Sequence, residues 1–342
     1  MAATTRTGPG AEAPLIGRTG ELRVARRWLD LAGSGTPRVG LVTGPPGVGK
    51  SRFLRAVTER AETRGFRVLH GAGLDGGTPP LLPMLSALRP LLDDVGADGR
   101  VDLTVEERRL LGFGPGPAGG GLAAAATDGS ARYDDTARHL AAARLLVDAA
   151  GLAPVLLVVD DGHAVDDASA GLLVHLVAAA AHAAEARPVH LLTLVAGRPR
   201  SGSPAVRTAM ARIRGEPGCE EIALTGLHEV GVHEILAALG PAPPSRALAR
   251  AIVERSGGNP LFARLLWRHL LESGAARVES DRVVADDPTA TQLARLRLDD
   301  VVDLRLDQLA PATRDLLRLA AVVGDGGDLD VLAGVAALDR AE

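Results

Sequence analysis

An α/β fold with a parallel sheet is the expectation for this chain of 342 residues, and three observations carry it. From Arg38 to Ala196, strand-like apolar runs alternate with helix-like segments, the signature of βα units whose strands lie parallel. Val155 to Val159 is apolar at every position, as in a strand covered on both faces. Between the run Val39 to Val42 and a helix-like segment from Ser51 to Arg64 lies Gly44-Pro45-Pro46-Gly47-Val48-Gly49-Lys50-Ser51. This loop fits G-x-x-x-x-G-K-[ST] in the strand, loop, helix context that a phosphate-binding loop requires.

Gly44, Gly47 and Gly49 let the backbone turn its N–H groups inward around a polyphosphate, and the helix that begins near Lys50 adds the positive end of its dipole. Lys50 is expected to bridge the β- and γ-phosphates and the Ser51 hydroxyl to hold Mg²⁺. The expected nucleotide-binding stretch is Gly44, Pro45, Pro46, Gly47, Val48, Gly49, Lys50, Ser51 and Arg52. Lys50 is the single lysine, in a chain that uses arginine everywhere else. A compact ammonium, rather than a planar fork, suits that position.

The length suggests about two domains, and 46% apolar residues is ample for a core. With aromatics at only 2%, that core must be made of Ala, Val and Leu. A net charge of −4 gives no global basic field, which argues against a protein that coats nucleic acid. The single cysteine, Cys219, excludes an intramolecular disulfide, and no cysteine–histidine spacing resembles a zinc site. Residues 1–14 lack the apolar segment of a secretory signal and read as a disordered tail. With no run of about 18 uninterrupted apolar residues, the expectation is a soluble, cytoplasmic protein without a membrane partner.

In chain order, Leu15-Ile16-Gly17-Arg18 precedes a helix in which Leu22, Ala25, Trp28 and Leu29 recur at helical spacing. Gly33 to Pro37 breaks it, Arg38 to Thr43 is the first strand, and the phosphate loop follows. Gly65 caps the helix that follows, and Phe66 to His70 is a second strand. A helix is expected over Pro80 to Leu92, with Leu81, Leu85, Leu88 and Leu92 on one face. The Gly/Ala/Pro-rich stretch 112–129 reads as a flexible insertion, and Tyr133 to Ala150 as a helix.

The run Pro154 to Val159 ends in Asp160 and Asp161. Ligands collect at the carboxyl ends of the strands in open α/β sheets, so these acids are delivered to the face that carries the loop. Asp160 is expected to hold Mg²⁺ through its water shell and Asp161 to polarise an attacking water. His163 either orients Asp161 or satisfies a turn, and Asp166 and Asp167 read as caps of a helix from Ala168 to Ala184. Val189 to Ala196 is a further strand ending at Gly197-Arg198-Pro199. From there Arg198 can reach a γ-phosphate, whereas Arg200 and Arg207 read equally well as solvated loop arginines.

From Pro204 the pattern changes to helices: Glu229 to Leu239, Ser245 to Arg255 and Leu261 to Glu272, preceded by the extended link Leu224 to Leu227. Ser256-Gly257-Gly258-Asn259-Pro260 turns sharply into the last of these, with proline at a helix start where its missing N–H costs nothing. That turn either presses on an adenine ring or simply joins two helices. Leu293 to Leu309, Pro311 to Val323 and Asp328 to Leu338 are further helical patterns.

Five stretches in this order resemble the nucleotide-binding module of AAA-related signal-transduction ATPases of the STAND class, and most closely the N-terminal ATPase half of the large ATP-binding regulators of the LuxR family. They are Leu15 to Leu22, Gly44 to Ser51, Val158 to Asp166, Leu194 to Pro199 and Gly257 to Phe262. The resemblance implies a P-loop NTPase core of three αβα layers over 15–203, a helical lid over 204–288 and the start of a winged-helix-like domain over 289–342. It implies that Gly17 and Arg18 border the adenine and that Lys50 and Ser51 hold phosphates and Mg²⁺. It further implies that Asp160 and Asp161 are the Walker B acids, that Arg198 is the sensor and that Pro260 contacts the base. The chain has Ala164 where the family often has Trp. No counterpart of the C-terminal DNA-binding helix-turn-helix of those regulators is expected within these residues, so the resemblance carries over no DNA-binding role.

The expected function is therefore an ATP-binding, slowly hydrolysing switch, with self-association or a protein partner reading its two states. The alternatives are a fast-turnover ATPase and a scaffold that holds nucleotide without hydrolysing it. The intact set of Lys50, Asp160 and Asp161 counts against the scaffold.

Overall fold

The computed structural model describes residues 15–72, 80–81, 84–91, 101, 103–111, 131–285, 306 and 309–323. They divide into two compact units. The sheet unit takes the described residues of Glu21–Pro46, Lys50–Leu224 and Leu309–Glu342, and the helical unit those of Met1–Gly20, Gly47–Gly49 and Thr225–Gln308. Among the described residues, no helix is long and apolar enough to cross a membrane.

The chain begins with α1 (Thr19–Gly33), β1 (Arg38–Thr43), α2 (Lys50–Glu62), β2 (Arg67–Ala72), α3 (Val105–Leu110) and α4 (Ala131–Leu152). It continues with β3 (Val155–Asp160), α5 (Asp167–Ala183), β4 (Leu191–Gly197), α6 (Pro204–Arg214) and β5 (Cys219–Ala223). The five strands form one parallel sheet in the order β2-β3-β4-β1-β5, as the βα alternation predicts. On one face Leu69, Leu157, Val159, Leu191 and Val195 join a buried cluster with Leu145 and Leu146 of α4 and Leu172, Leu173 and Leu176 of α5. The intervening strand residues Val42, Leu156, Leu192 and Leu194 are also buried, because side chains alternate along a strand and both faces are covered.

On β1, a Cβ added at Gly40 would lie 2.4 Å from Trp28 Cζ3 and 2.6 Å from Leu194 Cδ2. Only glycine lets the fully buried indole of α1 lie against this strand. Burying a tryptophan of about 200 Å² is worth on the order of 5 kcal/mol, a large share of what holds α1 to the sheet.

Three expectations are revised. The region from Pro204 begins not with the lid but with sheet elements, since Cys219–Ala223 is a strand paired along β1 from Val39↔Cys219 to Thr43↔Ala223. Helix in the Pro80 to Leu92 stretch is confined, among the described residues, to 84–91; Leu81 has φ 67° and its N–H donates to Asp166 Oδ1 at 3.3 Å. The helix cap after β3 is Asp166, whose carboxylate accepts from Ser169 N at 2.9 Å and Ser169 Oγ at 2.6 Å, while Asp167 is already helical. The expected tail 1–14, insertion 112–129, helix Asp328 to Leu338 and most of the helix Leu293 to Leu309 lie outside the described residues.

The helical unit holds α7 (Glu229–Leu239), α8 (Arg246–Ser256) and α9 (Pro260–Glu272), followed by an antiparallel hairpin of β6 (Ala276–Glu279) and β7 (Arg282–Ala285). The hairpin has no counterpart in the helical reading of this region. Val232, Leu236, Leu248, Ile252, Leu266, Trp267 and Val283 make its core. The expected helix α10 (Pro311–Val323) forms as well.

Candidate functional site

Strand register decides where the chemistry collects. Thr43 of β1 pairs with Gly197 of β4, Val159 of β3 with Val195 of β4, and Asp160 with Ala72 of β2. Parallel strands that end at matching levels release Gly44, Asp161 and Arg198 from the same edge of the sheet. The apolar composition of the strands buries them in this register, and the polar residues that follow are left at the rim.

Lys50 opens α2 and is 7% exposed. Its ammonium donates to Gly44 O and Pro45 O, each at 3.2 Å. Burial holds its pKa below the ordinary lysine value; Asp161 opposes that shift, Arg198 adds to it by like-charge repulsion, and Asp160 opposes it again. One ammonium therefore feels both acids and the arginine. Of the sequence-predicted residues, these four are brought together by the sheet unit.

Asp160 is held by a local contact, its Oδ1 accepting from Asp161 N at 2.9 Å. Asp161 has φ 46°, a left-handed backbone uncommon for a side chain other than glycine or asparagine. The turn it makes is closed by Ala164 N donating to Asp161 O and Gly162 N donating to Ala196 O, both at 2.7 Å. His163 Nδ1 lies 3.7 Å from Asp161 Oδ1, near the acid but beyond hydrogen-bond distance. Ser51 and Arg52 sit in the first turn of α2, the serine exposed and the arginine half-buried.

Gly44, Pro45 and Pro46 belong to the sheet unit, and Gly17, Arg18, Gly47, Val48, Gly49 and Pro260 to the helical unit. Gly47 and Gly49 have φ 75° and 102°, the positive values that a loop with inward-facing N–H groups needs. Gly47 O accepts from Leu261 N at 3.3 Å, and a Cβ at Gly47 would lie 2.7 Å from Leu261 Cβ and 2.9 Å from Asn259 Oδ1. Pro260 is the first residue of α9, whose N-cap Asn259 accepts from Leu261 N at 3.0 Å and Phe262 N at 3.4 Å. Gly257 and Gly258 before it have φ 57° and 71°, and Leu227 N donates to Gly258 O at 2.7 Å.

Gly17 has φ 70°, and a Cβ there would lie 3.0 Å from Leu227 Cδ2. Arg18, 5% exposed, donates to Val48 O at 3.3 Å and to Thr225 O. Its guanidinium thus grips the backbone at the centre of the phosphate loop.

Sequence reasoning missed Glu221, which accepts from Thr43 Oγ1 and Arg214 Nε, each at 2.8 Å, and so steadies the last residue before the phosphate loop. The signal was present as a charged pair inside a short β-like run, but it carries no apolar periodicity. Cys219, half-buried in the same strand, has its thiol pKa pushed up to about 11 by burial, so it is no nucleophile near neutrality.

Among the described residues, no group of three or more His, Cys, Asp or Glu could hold a metal ion. The oxygens of Ser51 and Asp160 fit a different arrangement, one in which Mg²⁺ takes one or two protein ligands and completes its shell with phosphate and water. The positive-φ glycines and the buried Lys50 ammonium likewise fit a polyphosphate.

No curated protein matches the chain. Among solved structures it is similar to a RuvB variant from Thermotoga maritima, with 17% identity and a TM-score of 0.42 over 95% of this chain and 83% of that one. A STAND protein with a tetratricopeptide repeat sensor from Pyrococcus horikoshii shows 13% identity and a TM-score of 0.48. That similarity covers 90% of this chain but only 36% of the other. The ADP form of ORC2 from Aeropyrum pernix shows 16% identity and a TM-score of 0.45, covering 97% of this chain and 81% of its own. Residues 14–195, more than half of the sequence, match the family described as AAA ATPase domain, and the chain belongs to that family.

Proposed function

We propose that this AAA ATPase domain is a signalling switch of the STAND type, as in the N-terminal ATPase half of LuxR-family regulators. It binds Mg-ATP, hydrolyses it slowly and shows a partner different surfaces in its two nucleotide states. The observation that carries the reading is Lys50, a buried ammonium in a glycine-rich loop that feels Asp160, Asp161 and Arg198 at one sheet edge. In this scheme Gly44 to Arg52 surround the phosphates, Ser51 and Asp160 hold Mg²⁺, Asp161 orients the attacking water, and Arg198 distinguishes triphosphate from diphosphate. Gly17, Arg18 and Pro260 border the base. The lid is taken to begin at Thr225, because β5 belongs to the sheet.

ATP supplies the phosphoryl group and Mg²⁺ neutralises its charge, while the protein's own residues position and exclude water. Slow turnover and a role in transcription regulation rest on the resemblance of the five motif stretches. The test is steady-state ATP hydrolysis as a function of protein concentration. The switch reading expects Mg-dependent binding with turnover far below the median enzyme rate of ~10 s⁻¹ and little dependence on concentration. Fast turnover that rises steeply with concentration would replace it with an assembled motor, and tight binding without any turnover with a scaffold.

A further inference from the structure

A cavity of about 420 Å³ opens in the sheet unit beside the Lys50 centre, and no step of the proposed hydrolysis uses most of it. Its floor is apolar, made by Leu41, Val195 and Met210, and its rim carries Arg198, Arg200 and Arg207. Four arginines line it against one acid, Glu221, whose carboxylate is already engaged by Arg214 and Thr43. Among the lining side chains the balance of charge is cationic. Arg207 gives one Nη1 donor to Gly202 O at 2.7 Å, which leaves most of its fork for a ligand.

The rim is also held in an uncommon backbone shape. Arg200 has φ 58°, and Gly202, at φ 94°, could take no Cβ without meeting His163 O at 2.6 Å. Backbone strain of this kind persists where surrounding structure fixes it, and here it fixes the turn that carries Arg198 and Arg200. A volume within the range of small-molecule pockets, apolar lining residues and several exposed guanidiniums around them together suit one chemistry.

We propose that this cavity is an effector site for a small organic anion, an oxyanion head on an apolar body, and that its occupancy is coupled to ATP through Arg198. The coupling rests on the sensor role given to Arg198 above, but binding to the cavity does not. A carboxylate drawn to Arg198 competes with the γ-phosphate for the same guanidinium, so anion and ATP weaken each other's binding by one common factor.

The experiment uses the full chain, with the fluorescence of 8-anilinonaphthalene-1-sulfonate as reporter and octanoate and octanol as matched competitors. Octanoate is expected to displace the dye and octanol at equal concentration to leave it bound. The exposed pair Arg200→Asn and Arg207→Gln, with fold checked by circular dichroism, should weaken octanoate by about tenfold or more, since each charged hydrogen bond is worth at least that factor. Displacement by octanol as well, no displacement by octanoate, or an unchanged double variant would each overturn the site.

Octanoate should also raise the dissociation constant for Mg-ATP by about threefold or more in the wild type and leave it unchanged in Arg198→Ala. An unchanged constant in the wild type overturns the coupling. If the wild type binds octanoate but no ATP, the nucleotide reading fails and the cavity stands. If it binds ATP but not octanoate, the cavity proposal alone fails.

Discussion

Strands β3 and β5 lie in one sheet, yet β3 is buried from Val155 through Val159 while β5 buries only Ile222. β3, an interior strand, is buried on both faces of the sheet. The edge strand is held by polar contacts: Glu220 accepts from Trp28 Nε1 at 3.1 Å and pairs with Arg27, and Glu221 accepts from Thr43 and Arg214. Burial is written into a sequence as an apolar run, whereas a partner elsewhere in the chain leaves no local mark. The middle of this sheet should therefore respond to volume and its edge to charge.

The largest effect is expected from breaking the middle. Gly40→Val would place a branched side chain where even a single carbon meets Trp28 and Leu194. Overpacking of that order costs about 3 kcal/mol, because the fully buried Trp28 and Leu194 side chains would have to shift. A denaturant midpoint equal to that of the wild type would show that the indole is not seated on β1.

At the carboxyl ends of the central strands the comparison sharpens, because there the middle of the sheet carries charge. Lys50→Ala should lower ATP affinity at least about a hundredfold, since no second lysine exists to replace the lost ammonium. Equilibrium binding of a fluorescent ATP analogue to the folded variant measures this, and unchanged affinity would remove the phosphate-loop assignment.

Asp161→Asn should act on rate and spare affinity. It leaves Asp160 for the metal but takes away the carboxylate that would orient water, so turnover is expected to fall by about 10²-fold with Mg-ATP binding retained. Matching losses of binding and turnover would mean that the two acids exchange roles.

The contrast between middle and edge also explains what could be read beforehand. β1, β3 and β4 were legible because burial on both faces demands continuous apolar residues, and the loop was legible because its glycine spacing is a backbone requirement. Lys50, Asp160, Asp161 and Arg198 could be placed together because strand ends define positions. β5 was missed because Cys219-Glu220-Glu221-Ile222-Ala223 shows one apolar face residue and two acids, a pattern equally suited to a loop. The hairpin β6–β7 escaped for a similar reason, its turn at Ser280 and Asp281 being built from positive-φ residues other than glycine. Arg18 was found as a motif residue, but its grip on Val48 O and Thr225 O depends on contacts remote in sequence.

The smallest effect tests the edge. In Glu221 the hydrogen bond from Arg214 is the largest influence, and with the Thr43 contact it holds the carboxyl below its usual pKa against the opposing effect of burial. A depressed folded-state value means that the group stabilises the fold above the unfolded pKa of about 4.3, and that this stabilisation disappears as pH falls through the folded value. Glu221→Gln keeps the shape and removes the charge, and for a partly exposed pair the cost near pH 7 should be about 0.5–1 kcal/mol. Glu107 and Glu220 also have lowered values, so acid weakens both proteins, and the informative quantity is the difference between them. Denaturation midpoints at successive pH values should show that difference shrinking between about pH 5 and pH 3. A gap of constant size would mean that Glu221 supports β5 through shape and not charge, and the distinction between the two parts of the sheet would fail at its edge.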